Sequence, residues 1–313
     1  MPEKNPQISV IIPAFNSSEK ALHEVCYGTA TVLAEAGYTC EIIIVNDGGK
    51  KETWNSINSI ISTLPCKAIG LRLSKNYGQH NATLCGIENA RASFIVTIDD
   101  DMQNPPSEIC KLIDAQKESG ADLVYGVYKN KKHSVVKNLG SAYVKKTSAI
   151  LLDSPGEGSS FRLMTKSLAE KICENKQGFV YIDELLLWYT ENIAFTPVEH
   201  RVPSEGKSRY STFRLLLMSL NITTNYTALP LKFITYLGLI SSFISFLLGI
   251  YFIYRKFVID VPTGYTSLIV TILFSTSIIL MSLGILGQYI YKMYQVQQKR
   301  PSYAVSRKTE NEI

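Results

Sequence analysis

Through the first 210 positions, short apolar blocks alternate with longer amphipathic ones. Ile8 to Ile12 is an apolar run ended by Pro13, the pattern of a buried parallel strand. Helical spacing follows from about Ser18 to Ala36, stopped by Gly37. Glu41 to Val45 predicts a second strand, closed by Asn46-Asp47-Gly48-Gly49, and a helix over about Glu52 to Leu64 leads to a third strand, Ala68 to Leu73. Gln79 to Ala90 again has helical spacing, and Phe94 to Ile98 predicts a fourth strand that runs into acidic residues. Such alternation implies βαβ units, a mainly parallel sheet and right-handed crossovers. Ligands bind such sheets beyond the carboxyl ends of the strands, so the chemistry is expected at Pro13 to Asn16, Asn46 to Gly49 and Asp99 to Gln103.

The pattern changes after Leu229. Phe233 to Tyr254 is 22 residues without a charge, and a second uncharged stretch runs from Val261 to Tyr291. A helix needs about 20 apolar residues to cross a bilayer, so the two predict a transmembrane hairpin of about 233–254 and 266–290 within 231–292. Lys232, Lys292, Lys299 and Arg300 flank it, against Arg255 and Lys256 in the connection, which places both termini in the cytosol by the positive-inside rule. The expected organisation is a cytosolic catalytic domain over 1–210, an amphipathic juxtamembrane helix over 211–230, the hairpin, and a basic cytosolic tail over 293–313. The expected location is a multi-pass, two-span protein of a bacterial inner membrane. Gly238, Gly249, Gly284 and Gly287 could pack within the hairpin or between subunits of a homo-oligomer.

A net charge of +5 over 313 residues is mild, and no recognition motif surrounds the basic residues, so nucleic acid is not an expected partner. Phosphate or anionic membrane lipid suits the charge equally well. Cys26, Cys40, Cys66, Cys85, Cys110 and Cys173 include no C-x-x-C pair and read as reduced thiols. Met1 to Gln7 is short and polar, so no signal peptide is expected before the first strand. The G-x-G-x-x-G and G-x-x-x-x-G-K-[ST] patterns are absent, which argues against a dinucleotide-binding enzyme and a P-loop NTPase.

Asp99-Asp100-Asp101-Met102-Gln103 carries the most chemistry. Adjacent carboxylates repel unless a cation sits among them. Alternate residues at a strand end can face one side, so Asp99 and Asp101 can share a metal, with Gln103 adding a neutral oxygen. Hard oxygen ligands suit Mg²⁺ or Mn²⁺, which also bind substrate phosphates. Lys129, Lys131, Lys132, Lys137, Lys145 and Lys146 form a basic stretch, of which Lys129, Lys132 and Lys137 are the candidate ligands of an acceptor phosphate.

Ile11-Ile12-Pro13-Ala14-Phe15-Asn16, Val45-Asn46-Asp47-Gly48, Asn76-Tyr77-Gly78-Gln79 and Asp99 to Pro106 together resemble family 2 glycosyltransferases of the GT-A fold. The two apolar stretches, Thr224-Asn225-Tyr226, Pro230-Leu231-Lys232 and Arg300-Pro301-x-Tyr303 narrow the resemblance to the polyprenyl-phosphate glycosyltransferases. It implies inverting transfer of a sugar from a nucleotide-sugar, with UDP favoured, to polyprenyl phosphate at the cytosolic membrane face. The alternative is a membrane-anchored transferase that extends a lipid-linked or surface glycan, and a non-catalytic nucleotide-sugar-binding membrane partner is a rival of another class. By resemblance, Pro13, Phe15 and Asp47 hold base and ribose, joined at the nucleotide by Asn16, Asn76, Asp99 and Asp100. Asp99, Asp101 and Gln103 match the metal motif, and Ser160 and Arg162 match an element near sugar and acceptor, so Asp99, Asp101, Ser160 and Arg162 form the catalytic set. His200, Gly206, Ser208, Arg209 and Tyr210 match a motif near the acceptor phosphate. Asn46 and Gly49 stand where the second loop of the family has Asp and Ser, Ser160 where many members have Asp, and Pro203 where the last motif has Arg.

Overall fold

A computed structural model describes residues 6–128, 160–174, 181–199, 264–297 and 301–311, together with Tyr236, Ile240, Phe243 and Leu247. The expected alternation is present: β1 (Ile8–Ala14), α1 (Glu19–Glu35), β2 (Cys40–Asn46), α2 (Lys51–Thr63), β3 (Lys67–Leu73), α3 (Gln79–Glu88) and β4 (Phe94–Thr97). A 3₁₀ turn at Pro106–Glu108 leads into α4 (Ile109–Ser119) and β5 (Leu123–Tyr128). After the basic stretch come β6 (Arg162–Thr165), α5 (Lys166–Cys173), α6 (Ile182–Tyr189) and β7 (Ile193–Val198). A long helix, α7 (Tyr265–Gln297), and β8 (Val305–Glu310) follow.

The described strands form one sheet in the order β7-β5-β6-β4-β1-β2-β3-β8. β3, β2, β1 and β4 are mutually parallel, whereas β6 runs antiparallel to both β4 and β5, and β8 runs antiparallel to β3. The sheet is thus mixed α/β with a parallel centre, as the alternation required. Connections from β1 step outward through β2 to β3, then cross back to β4 on the other side of β1. That reversal opens a crevice at the carboxyl ends of β1 and β4.

The strands read as continuous apolar runs because both faces are covered. Val10, Ile12, Ile42 and Ile44 pack with Leu22, Trp54, Ile57 and Leu112 on one face. Ile11, Ile43, Val45 and Leu71 pack with Leu84, Cys85, Leu168 and Leu186 on the other. Two polar residues in this core, Ser9 and Glu41, lie side by side in the β1–β2 register. The Ser9 hydroxyl donates to Glu41 at 2.5 Å, and the Arg91 backbone N–H donates to the same oxygen at 2.6 Å. The six cysteines are free thiols, as expected.

The C-terminal expectations need correction. Residues 301–311 do not form a free tail: β8 extends the sheet along β3, and Asn311 caps it through the Ala68 N–H at 2.8 Å and the Cys66 carbonyl at 2.8 Å. The chain divides into one unit of Met1–Lys207 with Pro301–Ile313 and another of Ser208–Arg300. Among the described residues no helix is long and apolar enough to cross a membrane. The expected two-span, multi-pass placement is therefore overturned, and the transmembrane hairpin finds no support among the described residues. The uncharged second stretch forms the single helix α7, in which Thr271, Ser275, Thr276, Ser282, Gly284 and Gly287 recur among the apolar residues. The expected amphipathic helix at 211–230, and all of the first span except Tyr236, Ile240, Phe243 and Leu247, lie outside the described residues.

Packing of α3 on the central strand tolerates no side chain at Gly86. A Cβ there would sit 2.3 Å from Cγ2 of Ile11. Gly86→Ala is therefore expected to destabilise the fold by about 1–3 kcal/mol in urea unfolding. Ile11→Val, which trims the opposing side chain, is expected to recover part of that loss in the double variant.

Candidate active site

Five elements meet at the crevice. β1 ends in Pro13-Ala14, and β4 ends at Thr97 and passes through Ile98 to Asp99. Because β6 is antiparallel to β4, its first residue arrives beside the end of that strand, with Arg162 in register with Thr97. Helices α3 and α6 point their first turns at the same place, bringing Gln79 and His80 from one and Asp183 from the other. Together with Thr83 and Ser160 these residues line a cleft of about 210 Å³.

Asp99 is clamped. Gln79 Nε2 donates to one carboxylate oxygen at 2.6 Å, and the Ser160 hydroxyl donates to the other at 2.5 Å. Burial pushes its pKa up to about 6; the Ser160 bond and Arg162 pull it down, and Asp101 and Asp100 add to the rise. Asp100 turns the opposite way and accepts from the Ser17 hydroxyl; burial raises its pKa as well. Asp101 is exposed and accepts from the Gln103 backbone N–H at 3.1 Å. The loop is strained at Met102, whose φ of 60° is left-handed and costs a non-glycine residue about 1–3 kcal/mol. Asn16, across the crevice, has a φ of 55°. Asparagine tolerates that region, so the strain lies at Met102.

Below Asp99 lies an ion pair. Arg162 is 3% exposed, and its guanidinium donates to Asp183 Oδ1 and, through Nε, to Thr97 Oγ1 at 3.3 Å. The buried Tyr125 hydroxyl donates to the same Asp183 oxygen at 3.1 Å. His80 stacks at a tilt on Tyr181, 4.6 Å between ring centroids, and burial pulls its pKa down to about 4. Sequence reasoning named Arg162 and quoted Gln79 only within the motif Asn76-Tyr77-Gly78-Gln79, and it missed Asp183 and His80. A buried guanidinium requires a carboxylate, and an acid opening an otherwise apolar helix, Ile182-Asp183-Glu184-Leu185-Leu186, was the available signal.

The second loop is braced from within. Asp47 is buried, and its two oxygens accept the backbone N–H groups of Tyr77 at 2.7 Å and Gly78 at 2.9 Å. It thereby positions the loop that starts α3. Asn46, at the position of the family Asp, accepts the Gly49 N–H at 2.7 Å. Gly48 has a φ of +65°, and a Cβ there would meet the Lys75 carbonyl carbon at 2.1 Å, so only glycine fits. Phe15 is 43% exposed beside the crevice, and Asn76 accepts the Gly78 N–H at 3.1 Å. The acceptor set Lys129, Lys132, Lys137, His200, Ser208 and Arg209, with Gly206 and Tyr210, lies outside the described residues.

The donor set at the acidic loop is entirely oxygen, and its carboxylates outnumber the nearby cations, since Arg162 is already matched by Asp183. That excess fits a hard divalent cation. No three His, Cys, Asp or Glu side chains converge on a metal site among the described residues.

The folded pKa of Asp99, about 6, exceeds its ordinary value of 3.8. The folded state therefore binds this proton more tightly, so stability from this group is full below about pH 4 and is lost as pH rises through 6. Metal-free Asp99→Asn is expected to melt above wild type at pH 7.5, with the gap closing toward pH 4. A variant that melts below wild type by the same margin at both pH values would contradict this account.

Comparison with known proteins agrees with this geometry. Residues 9–173 match the family described as glycosyl transferase family 2. The chain is similar to an uncharacterized glycosyltransferase of Synechocystis, 30% identical over 313 residues, covering 96% of this chain and 95% of that protein. It is also similar to the undecaprenyl-phosphate 4-deoxy-4-formamido-L-arabinose transferase of Shewanella sediminis, at 28% identity over 95% of this chain and 91% of the relative. A third relative is a prophage bactoprenol glucosyl transferase homolog of Escherichia coli K12, at 27% identity over 96% of this chain and 99% of the relative. With the family match spanning more than half the chain and its acidic motif standing at the mouth of the cleft, this protein belongs to glycosyl transferase family 2.

Proposed function

We propose that this glycosyltransferase moves a sugar from a nucleotide-sugar, a UDP-sugar in the first instance, to a polyprenyl phosphate with inversion at the anomeric carbon. The observation that carries the reading is Asp99, clamped by Gln79 and Ser160 at the mouth of a polar cleft. The relatives named for undecaprenyl phosphate and bactoprenol, aligned over nearly the whole chain, support the lipid acceptor.

Asp99, Asp101 and Gln103 would hold Mg²⁺ or Mn²⁺. Such an ion neutralises charge on a leaving diphosphate, a contribution of several kcal/mol. The protein groups do the remaining work by position. Phe15 offers an exposed aromatic face to the base. Gln79 and Ser160 fix the Asp99 carboxylate so that it does not reorganise as charge develops. Ser160 donates its proton to Asp99 and is thus not a base, and this chemistry needs none: a phosphate monoester, with its second pKa near 6, arrives ionised. Its oxygen attacks the anomeric carbon as the bond to the nucleoside diphosphate breaks, and attack from the opposite side inverts the centre.

Radiolabelled UDP-sugars incubated with the protein and undecaprenyl phosphate are expected to label the lipid. EDTA is expected to abolish labelling and added Mg²⁺ or Mn²⁺ to restore it. Asp101→Ala is expected to lower the rate by roughly 100-fold or more, the kinetic equivalent of a few kcal/mol. Full labelling by Asp101→Ala in excess EDTA would overturn the metal assignment, and label in an oligosaccharide would replace the lipid acceptor with a sugar hydroxyl.

A further inference from the structure

The cleft continues behind Asp99 to a wall that the transfer reaction as described leaves unused. Arg162 lies within electrostatic reach of both Asp99 and His80, and Asp183 is the carboxylate that acts most strongly on His80. Asp183 gives one oxygen, Oδ1, to both Arg162 and Tyr125, while its Oδ2 bonds to no described residue. The His80 ring, set against Tyr181, likewise makes no hydrogen bond to a described residue. Burial keeps that imidazole neutral, so it offers one N–H donor and one nitrogen acceptor.

The charge of this wall selects its ligand. With Asp99 assigned to the metal, the charges left on the wall are Arg162 and Asp183, which are paired with each other. That pair carries no net charge, so neither a phosphate nor a second cation gains net attraction from it. A neutral molecule rich in hydroxyls needs none: its O–H groups donate to Asp183, and His80 can either donate to them or accept from them. The volume, about 210 Å³, equals that of roughly seven waters at about 30 Å³ each and suits one monosaccharide ring.

We propose that His80, backed by Asp183, reads a hydroxyl of the transferred sugar and is a specificity-determining residue of this enzyme. This assignment rests on the transfer reaction proposed above. Asp183 holds the buried guanidinium as well, so its removal would disturb the fold; His80 carries no such duty and is the residue to vary.

Full-length wild type, His80→Ala and His80→Gln are compared with undecaprenyl phosphate and a panel of UDP-glucose, UDP-galactose, UDP-xylose and UDP-4-deoxy-4-formamido-L-arabinose. The best donor is then replaced by each of its available monodeoxy analogues. In wild type, loss of one particular hydroxyl is expected to lower kcat/KM about 10- to 100-fold, the worth of one well-made hydrogen bond in a closed site. In His80→Ala the same deletion is expected to cost less than about threefold, because the partner is already gone. His80→Gln is expected to re-rank the donors, and UDP affinity is expected to stay within about twofold in both variants. A merely structural role would lower every donor equally and leave each deoxy penalty unchanged, and that result overturns the assignment. Wild type that transfers from no donor overturns the polyprenyl-phosphate reading itself, and this inference with it.

Discussion

Arg162 carries a permanent charge into a place with almost no water, and the surrounding structure has to answer that charge. Losing the partner of a buried ion costs about 3–5 kcal/mol. Asp183 therefore has to arrive beside it from α6, Tyr125 has to steady the carboxylate from β5, and Thr97 has to take the guanidinium Nε from β4. Three strands and a helix are thereby fixed relative to one another at a single point. The cleft is the space left above that point, and Asp99 is held at its mouth.

A second chain of contacts reaches the same carboxylate from the other side. Asp47 at the end of β2 binds the N–H groups of Tyr77 and Gly78, which sets the turn that opens α3. The first residue of that helix, Gln79, then clamps Asp99. The two loops that the family motif treats as separate are thus one mechanical unit. Close packing keeps it stiff: Gly86 rests on Ile11, and Gly70 lies where a Cβ would meet Ile61 at 2.5 Å. Positioning of this kind is what charge stabilisation in a transition state requires, because a preorganised group does not move when the reaction occurs.

Much of this was legible in the residues themselves. The strands and helices through β4 fall within a residue or two of the apolar pattern, because strands buried on both faces have to be apolar throughout. The acidic loop announced itself through its charge. The inward turn of Asp47 was not legible, since a carboxylate after a strand reads alike whether it faces a ligand or the N–H groups of a loop 30 residues on. Asp183 was hidden by distance along the chain, 21 residues from its partner. The long apolar runs were read as membrane spans, whereas no helix among the described residues is long and apolar enough to cross a membrane.

Taken alone, the sequence established an α/β chain with a parallel centre, three polar strand ends and a carboxylate motif suited to a hard cation. These are local properties, written in periodicity and in runs of like charge. Tertiary structure decided which carboxylate is clamped, which one serves as a brace, and that the last strand returns to the sheet beside β3 instead of trailing as a basic tail. It also decided that Arg162, Asp183 and His80 share one cleft. Those outcomes depend on partners far apart in the chain, and only the closing of the sheet brings them within hydrogen-bonding reach.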